Sequence, residues 1–322
     1  MLRWKLIASA FAAAFASSLF AQAYPAKPVR IVMPLPAGAA DTITRALGQR
    51  LSETLGQPFV VENRPGANMI IAAEMVAKSP ADGYTLLFAT DSLMTINPLV
   101  YSRLSYNPDT AFTPVAILCY TITAVMVSAE LGVNTVDDLV KLARAQPGKL
   151  NYGTLGLGSN GHFAAETFKL ATGTEIVHVP FKGGVELIQA IATNQVHMAF
   201  QGSGTAIPMI RAGKIKAVAV YNARRQPTLP DTPTMTEAGF PKIDGARAYY
   251  GFVAPAGTPR EIVNKLGSEI VRVGNMPDFR EKYIVGFNLE PAAGGPDVLA
   301  GVVRADREKY AQMVKRLNLR LD

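Results

Sequence analysis

Apolar residues in this chain recur now at every second position, now at every third or fourth, and the two spacings alternate many times from residue 29 onward. A period of two marks a strand and one near 3.6 marks a helix, so the alternation predicts strands joined by crossover helices. Val29–Met33 reads as a buried strand. Asp41 is placed to cap a helix that carries Ile43, Leu47, Leu51 and Leu55 on one face and ends at Gly56. Phe59–Val61 is a second strand, 68–77 a second helix and Thr85–Ala89 a third strand, the order of a parallel sheet.

Near 112–128 the rhythm breaks. Val115–Leu118 and Ile122–Val127 follow one another with no helix between them. Thr135 and Asp138 then predict a capping box for a helix that Pro147 terminates. Alternation resumes with strand 150–154, helix 160–172, strand 176–179, helix 184–193, strand 196–200, helix 204–212 and strand 216–220. After a Pro- and Thr-rich loop from Arg225 to Pro233, Ala248–Ala254 is another apolar strand. Thr258-Pro259-Arg260-Glu261 predicts a second capping box, with Ile262, Val263, Leu266 and Ile270 on the face behind it. A last helix over about 296–317 turns Leu299, Val302, Val303, Tyr310, Met313 and Leu317 inward. The pattern fits two α/β lobes joined by strands near 120 and 250.

The N-terminus reads as an export signal. Arg3 and Lys5 precede a 15-residue uncharged stretch from Leu6 to Phe20, and Ala21-Gln22-Ala23 supplies a small-x-small cleavage pattern. The stretch is shorter than the ~20 residues that span a bilayer. The expectation is release into the periplasm, with the mature chain starting at Tyr24. Removing residues 1–23 leaves 299 of the 322, more than one hydrophobic core usually serves. The composition, 49% hydrophobic and 18% charged, is that of an ordinary globular protein. Without Arg3 and Lys5 the chain has 30 basic against 25 acidic residues, a net +5 that favours anionic ligands. The basic residues are scattered, so no nucleic-acid partner is expected. Cys119, the one cysteine, allows no internal disulfide and reads as a small buried hydrophobe.

Catalytic patterns are missing. His162, His178 and His197 sit on separate elements with no metal-binding spacing. Neither Ser159 nor Ser203 lies in G-x-S-x-G, and no phosphate-binding G-x-x-x-x-G-K-[ST] loop occurs. Gly156-Leu157-Gly158-Ser159-Asn160-Gly161 does match G-x-G-x-x-G, but a dinucleotide site also needs an acid about 20 residues on, where this chain has Val179, Pro180, Phe181 and Lys182. No cofactor, metal or catalytic residue is therefore expected.

The same loop suits an anion. Unpaired N–H groups at a helix start attract a carboxylate, glycine allows close approach, and Ser159, Asn160 and His162 add donors. Pro36-Ala37-Gly38-Ala39-Ala40-Asp41 is a second loop of this design, and two such loops on opposed lobes would hold both ends of a dicarboxylate. Each is equally a tight strand-to-helix turn that uses glycine for backbone reasons. His162 reads as a first-turn donor or a contact. Of Tyr249 and Tyr250 only one can face a cleft.

Several stretches together resemble the Bug family, the tricarboxylate-type tripartite transporter receptors. They are Tyr24-Pro25-Ala26-Lys27-Pro28-Val29-Arg30, Val61-Glu62-Asn63-Arg64-Pro65-Gly66-Ala67, Asp82-Gly83-Tyr84-Thr85-Leu86-Leu87, Val179-Pro180-Phe181-Lys182-Gly183-Gly184 and Ala254-Pro255-Ala256-Gly257-Thr258-Pro259. The resemblance implies an α/β two-lobe periplasmic binding protein of type II, a "Venus flytrap" with two crossover strands. Its lobes would be 24–121 plus 249–322, and 122–248. It further implies contacts from Ala37, Gly38, Ala39 and Asp41 in one loop and Gly158, Ser159 and His162 in the other, with Thr90, Ser92, Thr123, Phe181, Lys182 and Tyr249 or Tyr250 around them. Asp41, being acidic, is expected to orient its loop. Two positions depart from the family pattern. Ala39 stands where a second glycine is usual, and Gln201 where an acid is common. An acid at Gln201 could pair with a ligand ammonium, so a non-amino carboxylate is expected. The expected partners are that ligand and membrane transporter subunits, with the receptor a monomer. Two other readings stay open: a receptor reporting to a membrane sensor kinase, and a nucleotide-dependent α/β enzyme using the Gly156–Gly161 loop.

Overall fold

The computed structural model describes residues 24–241, 243 and 248–320. The export signal and its cleavage after Ala23 lie outside the described residues.

Eleven strands form two sheets among these residues. The first takes β1 (Val29–Met33), β2 (Phe59–Asn63), β3 (Thr85–Ala89), β4 (Phe112–Thr121), β10 (Tyr249–Pro255) and β11 (Leu289–Gly294), in the order β11-β4-β10-β3-β1-β2. The second takes β5 (Thr123–Ser128), β6 (Asn151–Thr154), β7 (Val177–Pro180), β8 (Met198–Gly202) and β9 (Ile215–Val220), in the order β7-β6-β8-β5-β9. Each sheet has a parallel half, β2-β1-β3 and β7-β6-β8, to which antiparallel strands are added. Parallel strands need crossover helices, and these are α1 (Ala39–Leu55) and α2 (Ile70–Ala77) in the first sheet and α4 (Asn160–Thr172) and α5 (Gly184–Ala192) in the second; α3 (Val136–Ala145), α6 (Arg260–Gly274) and α7 (Pro296–Leu317) complete the helical layers.

Burial explains the layering. In α1, Ile43, Leu47 and Leu51 are fully buried against Val29, Ile31 and Phe88, and α6 adds Val263, Leu266 and Ile270 to that face. The opposite face of the same sheet carries Ala72, Ala73 and Val76 of α2 with Leu299 and Val303 of α7. In the second sheet α3 and α4 cover one face, with Leu139, Phe168 and Phe200, and α5 covers the other through Leu187, Ile188 and Ile191. Cys119 is buried in the first core, where desolvation pushes its thiol pKa up.

β4 passes into β5 across Ile122 alone, so one extended run changes sheets there. The return path lies beside it: Thr121 N donates to Ala248 O at 2.8 Å and Tyr221 N to Thr123 O at 2.8 Å. The parallel strands β1, β3, β6, β7 and β8 all end toward the gap between the sheets, so the loops that follow them meet there.

Two local expectations are corrected. Gly38, with no side-chain hydrogen bond, precedes α1, and Asp41 lies inside the first turn instead of capping it. The second capping box does not form, because Thr258 Oγ1 turns back to Pro255 O at 2.7 Å and α6 starts after Pro259. The box of Thr135 and Asp138 is present. Strand β11 and the short helical turns over 277–287 have no counterpart in the sequence reading.

Candidate functional site

A cavity of about 150 Å³ lies where those loops meet. That is smaller than the ~300–1,000 Å³ typical of pockets for drug-sized ligands. The first lobe's wall includes Leu35–Ala40, Met69, Thr90, Asp91, Ser92 and Tyr250, and the second lobe's includes Leu155, Ser159, Asn160, Gly161, Gly183, Gly184, Gln201 and Thr205. Among the described residues, none that lines it is Lys, Arg or His.

Three helix starts supply donors in their place. In α1 the first amide to bond within the helix is Thr42, to Gly38 O at 2.9 Å, so the N–H groups of Ala39, Ala40 and Asp41 have no partner inside the helix. In α4 the Ser159 hydroxyl accepts from His162 N at 3.3 Å and Phe163 N bonds Ser159 O, leaving Asn160 and Gly161. In α5, Leu187 N bonds Gly183 O at 3.1 Å, and Gly183 has no side chain with which to cap. Each start carries roughly +0.5 of a charge. The anion-favouring potential is therefore built into the backbone.

The loops are held in place from behind. Asn63, at the end of β2, donates through Nδ2 to Leu35 O and to Asp41 Oδ1, both at 2.9 Å. Asp41 Oδ2 accepts from Arg45 Nε at 3.0 Å. Gly161 sits so close to β8 that a Cβ there would fall 2.1 Å from Phe200 O, which presses the α4 start against the sheet. Gly204 approaches Phe287 O across the gap in the same way, at 2.4 Å for a Cβ.

Among the residues singled out from sequence, Ala37, Gly38, Ala39, Thr90, Ser92, Ser159, Gln201 and Tyr250 line the cavity. Asp41, Thr123, Gly158, His162, Phe181, Lys182 and Tyr249 stand outside it. Thr123 hydrogen-bonds Asn160 Oδ1 at 2.9 Å and so sets the position of a lining side chain. Gly158 N donates to His162 Nδ1 at 3.3 Å, closing the loop on itself. His162 is buried behind that loop, its ring 4.8 Å from that of His178, and burial above all pushes its pKa down to about 4. Phe181 packs under Gly153, Lys182 is exposed, and Tyr249 lies on the opposite face of β10 from Tyr250.

The main lining residues that sequence reasoning missed are Asp91 and the Gly183–Gly184 helix start; Asn160, expected as a donor of its loop, lines the cavity and also bonds across the gap. Asp91 Oδ2 accepts from Tyr310 Oη at 2.5 Å and from Asn160 Nδ2 at 3.1 Å, so one carboxylate joins β3's loop, α7 and α4. Its Oδ1 is buried without a hydrogen-bond partner. Desolvation outweighs these side-chain donors and the backbone N–H groups of Asp91 and Ser92, and pushes the Asp91 pKa up to about 6. Other bonds also cross the gap: Asn68 Nδ2 to Leu157 O at 3.3 Å, and Asn288 Nδ2 to Ser203 Oγ at 2.5 Å. The Gly183–Gly184 start was legible, since its glycines stand in one of the quoted stretches just before a predicted helix.

The family model of tripartite tricarboxylate transporter receptors matches residues 43–319. Among solved structures, R. palustris Rpa4515 with adipate is 36% identical, covers 92% of this chain and 99% of its own, and superposes with a TM-score of 0.88. MatC (Rpa3494) from Rhodopseudomonas palustris, solved with bound malate, is 29% identical over 90% of this chain and 100% of its own, with a TM-score of 0.83. Protein BugT of Bordetella pertussis is 28% identical over 96% of this chain and 95% of its own length.

Proposed function

The chain belongs to the tripartite tricarboxylate transporter receptor (Bug) family, and we propose that it captures a non-amino dicarboxylate in the periplasm and passes it to transporter subunits in the membrane. The observation that carries this reading is the convergence of three uncapped or partly capped helix starts on a cavity that, among the described residues, has no cationic side chain. Such a site holds carboxylates by backbone donors and hydroxyls. Charge-assisted hydrogen bonds contribute about 1.5–3 kcal/mol each. A handful reaches the ~8 kcal/mol of micromolar binding once ordering costs are subtracted. No bond in the ligand need break, and the receptor acts by closing. The adipate and malate held by the two structural relatives support the ligand class.

The lobes that close are residues 24–121 with 249–322, and 122–248, hinged where β4 passes into β5 and where the chain returns to β10. Gln201 is neutral, which favours a ligand without an ammonium. The receptor works as a monomer after removal of residues 1–23.

Thermal stability of residues 24–322 against mono-, di- and tricarboxylates, amino acids and nucleotides tests this. A ligand at 100 times its Kd adds about 2.7 kcal/mol, a shift of a few degrees in a chain this size. A shift with dicarboxylates and none with nucleotides is expected. Aspartate or glutamate outcompeting every plain dicarboxylate would remove the non-amino assignment.

A further inference from the structure

On the second lobe's wall, three donors gather around one empty point. Gln201, next to last in β8, is 9% exposed and lines the cavity. Its stem passes the α4 start, where its Cβ lies 3.7 Å from the position a Gly161 Cβ would take, and its amide ends at the α5 start. Oε1 is shut into the wall without a hydrogen-bond partner, whereas Nε2 is not shut in and makes no hydrogen bond with another described residue. Thr205 Oγ1, at the same wall, likewise makes none. The third donor is the α5 start itself. Leu187 is the first amide to bond within the helix and Gly183 offers no cap, so the Gly184 N–H has no partner inside it. Glu186, the acid of that first turn, is exposed and accepts from Lys182 N at 3.4 Å, away from the cavity lining.

Gly184 marks the empty point. A Cβ built there would lie 3.5 Å from Thr205 Oγ1 and 3.6 Å from Gln201 Nε2, and it meets nothing else within 4 Å outside its own turn of chain. An acceptor there need move only about half an ångström closer to each donor to reach hydrogen-bond distance. Beside it the lobes touch, since Pro36 Cγ of the first lobe is 3.1 Å from where a Gly183 Cβ would be. That contact shields the point from water, which strengthens any charge-assisted bond made there. Buried polar groups are ordinarily paired, so unpaired donors converging on a shielded space beside a helix start call for an anion.

We infer that the α5 start, Gln201 Nε2 and Thr205 Oγ1 form the seat of the ligand's second carboxylate, and that this seat makes the receptor prefer a dicarboxylate to the monocarboxylate of the same length. The first carboxylate is left to the α1 and α4 starts. This deepens the proposed function and rests on it. A ligand that ends in a methyl group leaves the donors of the seat unpaired in the closed site, and a site built to hydrogen-bond discriminates strongly against an analogue that cannot.

Calorimetric titration of residues 24–322 with adipate and hexanoate, glutarate and pentanoate, and succinate and butanoate tests this, with displacement of the dicarboxylate used where a monocarboxylate is too weak to titrate directly. In the tightest pair the parent should prefer the dicarboxylate by about tenfold or more. Gly184→Ala sets a methyl in the seat at ordinary contact distances, so its ligand-free Tm should be unchanged or higher. Its dicarboxylate affinity should fall about tenfold or more, and its monocarboxylate affinity by less than about twofold. Thr205→Val, which keeps the shape and removes the hydroxyl, should narrow the preference in the same direction, and it stands as the test if Gly184→Ala does not fold. Gln201→Glu, which sets a negative charge in the seat, should reverse the preference. A preference unchanged in all three variants overturns this inference and leaves the proposed function intact. So does an equal loss of both ligands, which would make the seat that of the carboxylate they share. If no dicarboxylate binds the parent, the proposed function falls and takes this inference with it.

Discussion

The Asn63 side-chain amide lies 2.9 Å from Asp41 Oδ1 and, through the same nitrogen, 2.9 Å from Leu35 O. A residue at the end of one strand thereby fixes both ends of the loop that leaves its neighbour. Asn63→Ala removes both bonds, together with the one its Oδ1 accepts from Arg45 at 2.6 Å, and strands a carbonyl and a carboxylate oxygen. We expect a loss of about 1–3 kcal/mol in denaturant unfolding. Ligand affinity should fall by a larger factor than in Arg45→Ala, because Asn63 alone reaches Leu35. Equal affinity in the two variants would mean that the loop keeps its shape without Asn63.

Gly161 tolerates no side chain. A methyl 2.1 Å from Phe200 O meets backbone, not the end of a flexible side chain, so α4 must move away from β8. Overpacking of this kind costs about 1–3 kcal/mol or more. Gly161→Ala should lower Tm by several degrees and also weaken carboxylate binding, since the displaced helix start carries donors of the site. A variant with unchanged Tm would show that the sheet yields there.

His162 predicts an acid limit. Its folded pKa of about 4 lies below the ordinary 6.5, so the unfolded chain binds the proton more readily. The stability it contributes is complete above about pH 6.5 and is lost as pH falls toward 4. His178, beside it, is shifted the same way by burial. His162→Gln should lose less stability than the parent between pH 7 and 4.5 in urea unfolding. Parallel losses in the two proteins would place the acid sensitivity elsewhere.

Tyr310 bears on the opposite limit. Asp91's pKa is raised from 3.8 to about 6, so its contribution is complete below its ordinary pKa and is lost as pH rises through 6. The Tyr310 hydroxyl relieves part of that cost by donating to the carboxylate. Tyr310→Phe should cost about 1.5–3 kcal/mol at pH 8, where the bond is to a charge, and about 1 at pH 5. A cost independent of pH would remove Asp91 from the account.

Much of this architecture is legible in the residues. The helix expected over 160–172 is α4 to the residue, and α7 starts at Pro296 and ends at Leu317 as the apolar spacing indicates. Long amphipathic helices and fully buried strands impose many positions at once, which makes them robust to read. Strand β11 escapes because Leu289–Gly294 is short, half-buried and irregularly paired at the sheet edge, with no alternation to reveal it. The failed cap at Thr258 has another cause: its hydroxyl had a competing acceptor, Pro255 O, that spacing rules do not weigh. In the site, the glycine loops announce themselves and single polar residues do not. Asp91 stands between Thr90 and Ser92 just past a buried strand, with nothing in the local sequence to single it out, and only the tertiary structure brings Tyr310 from 219 positions away to meet it. Tyr249 and Tyr250 illustrate the same limit, since strand geometry separates their faces but only the packing says which face is the cavity.

If the proposed function holds, a recognition surface made of main-chain amides has an evolutionary consequence. Replacing a lining side chain changes the length and contour of the space but leaves the helix starts in place. Drift at Ala39, Met69, Leu155 or Thr205 can thus exchange one acid for another without passing through a form that binds none. The glycines that bring the backbone close are the positions where such drift stops. A gene copied many times within one genome would meet little resistance in dividing a range of organic acids among its descendants.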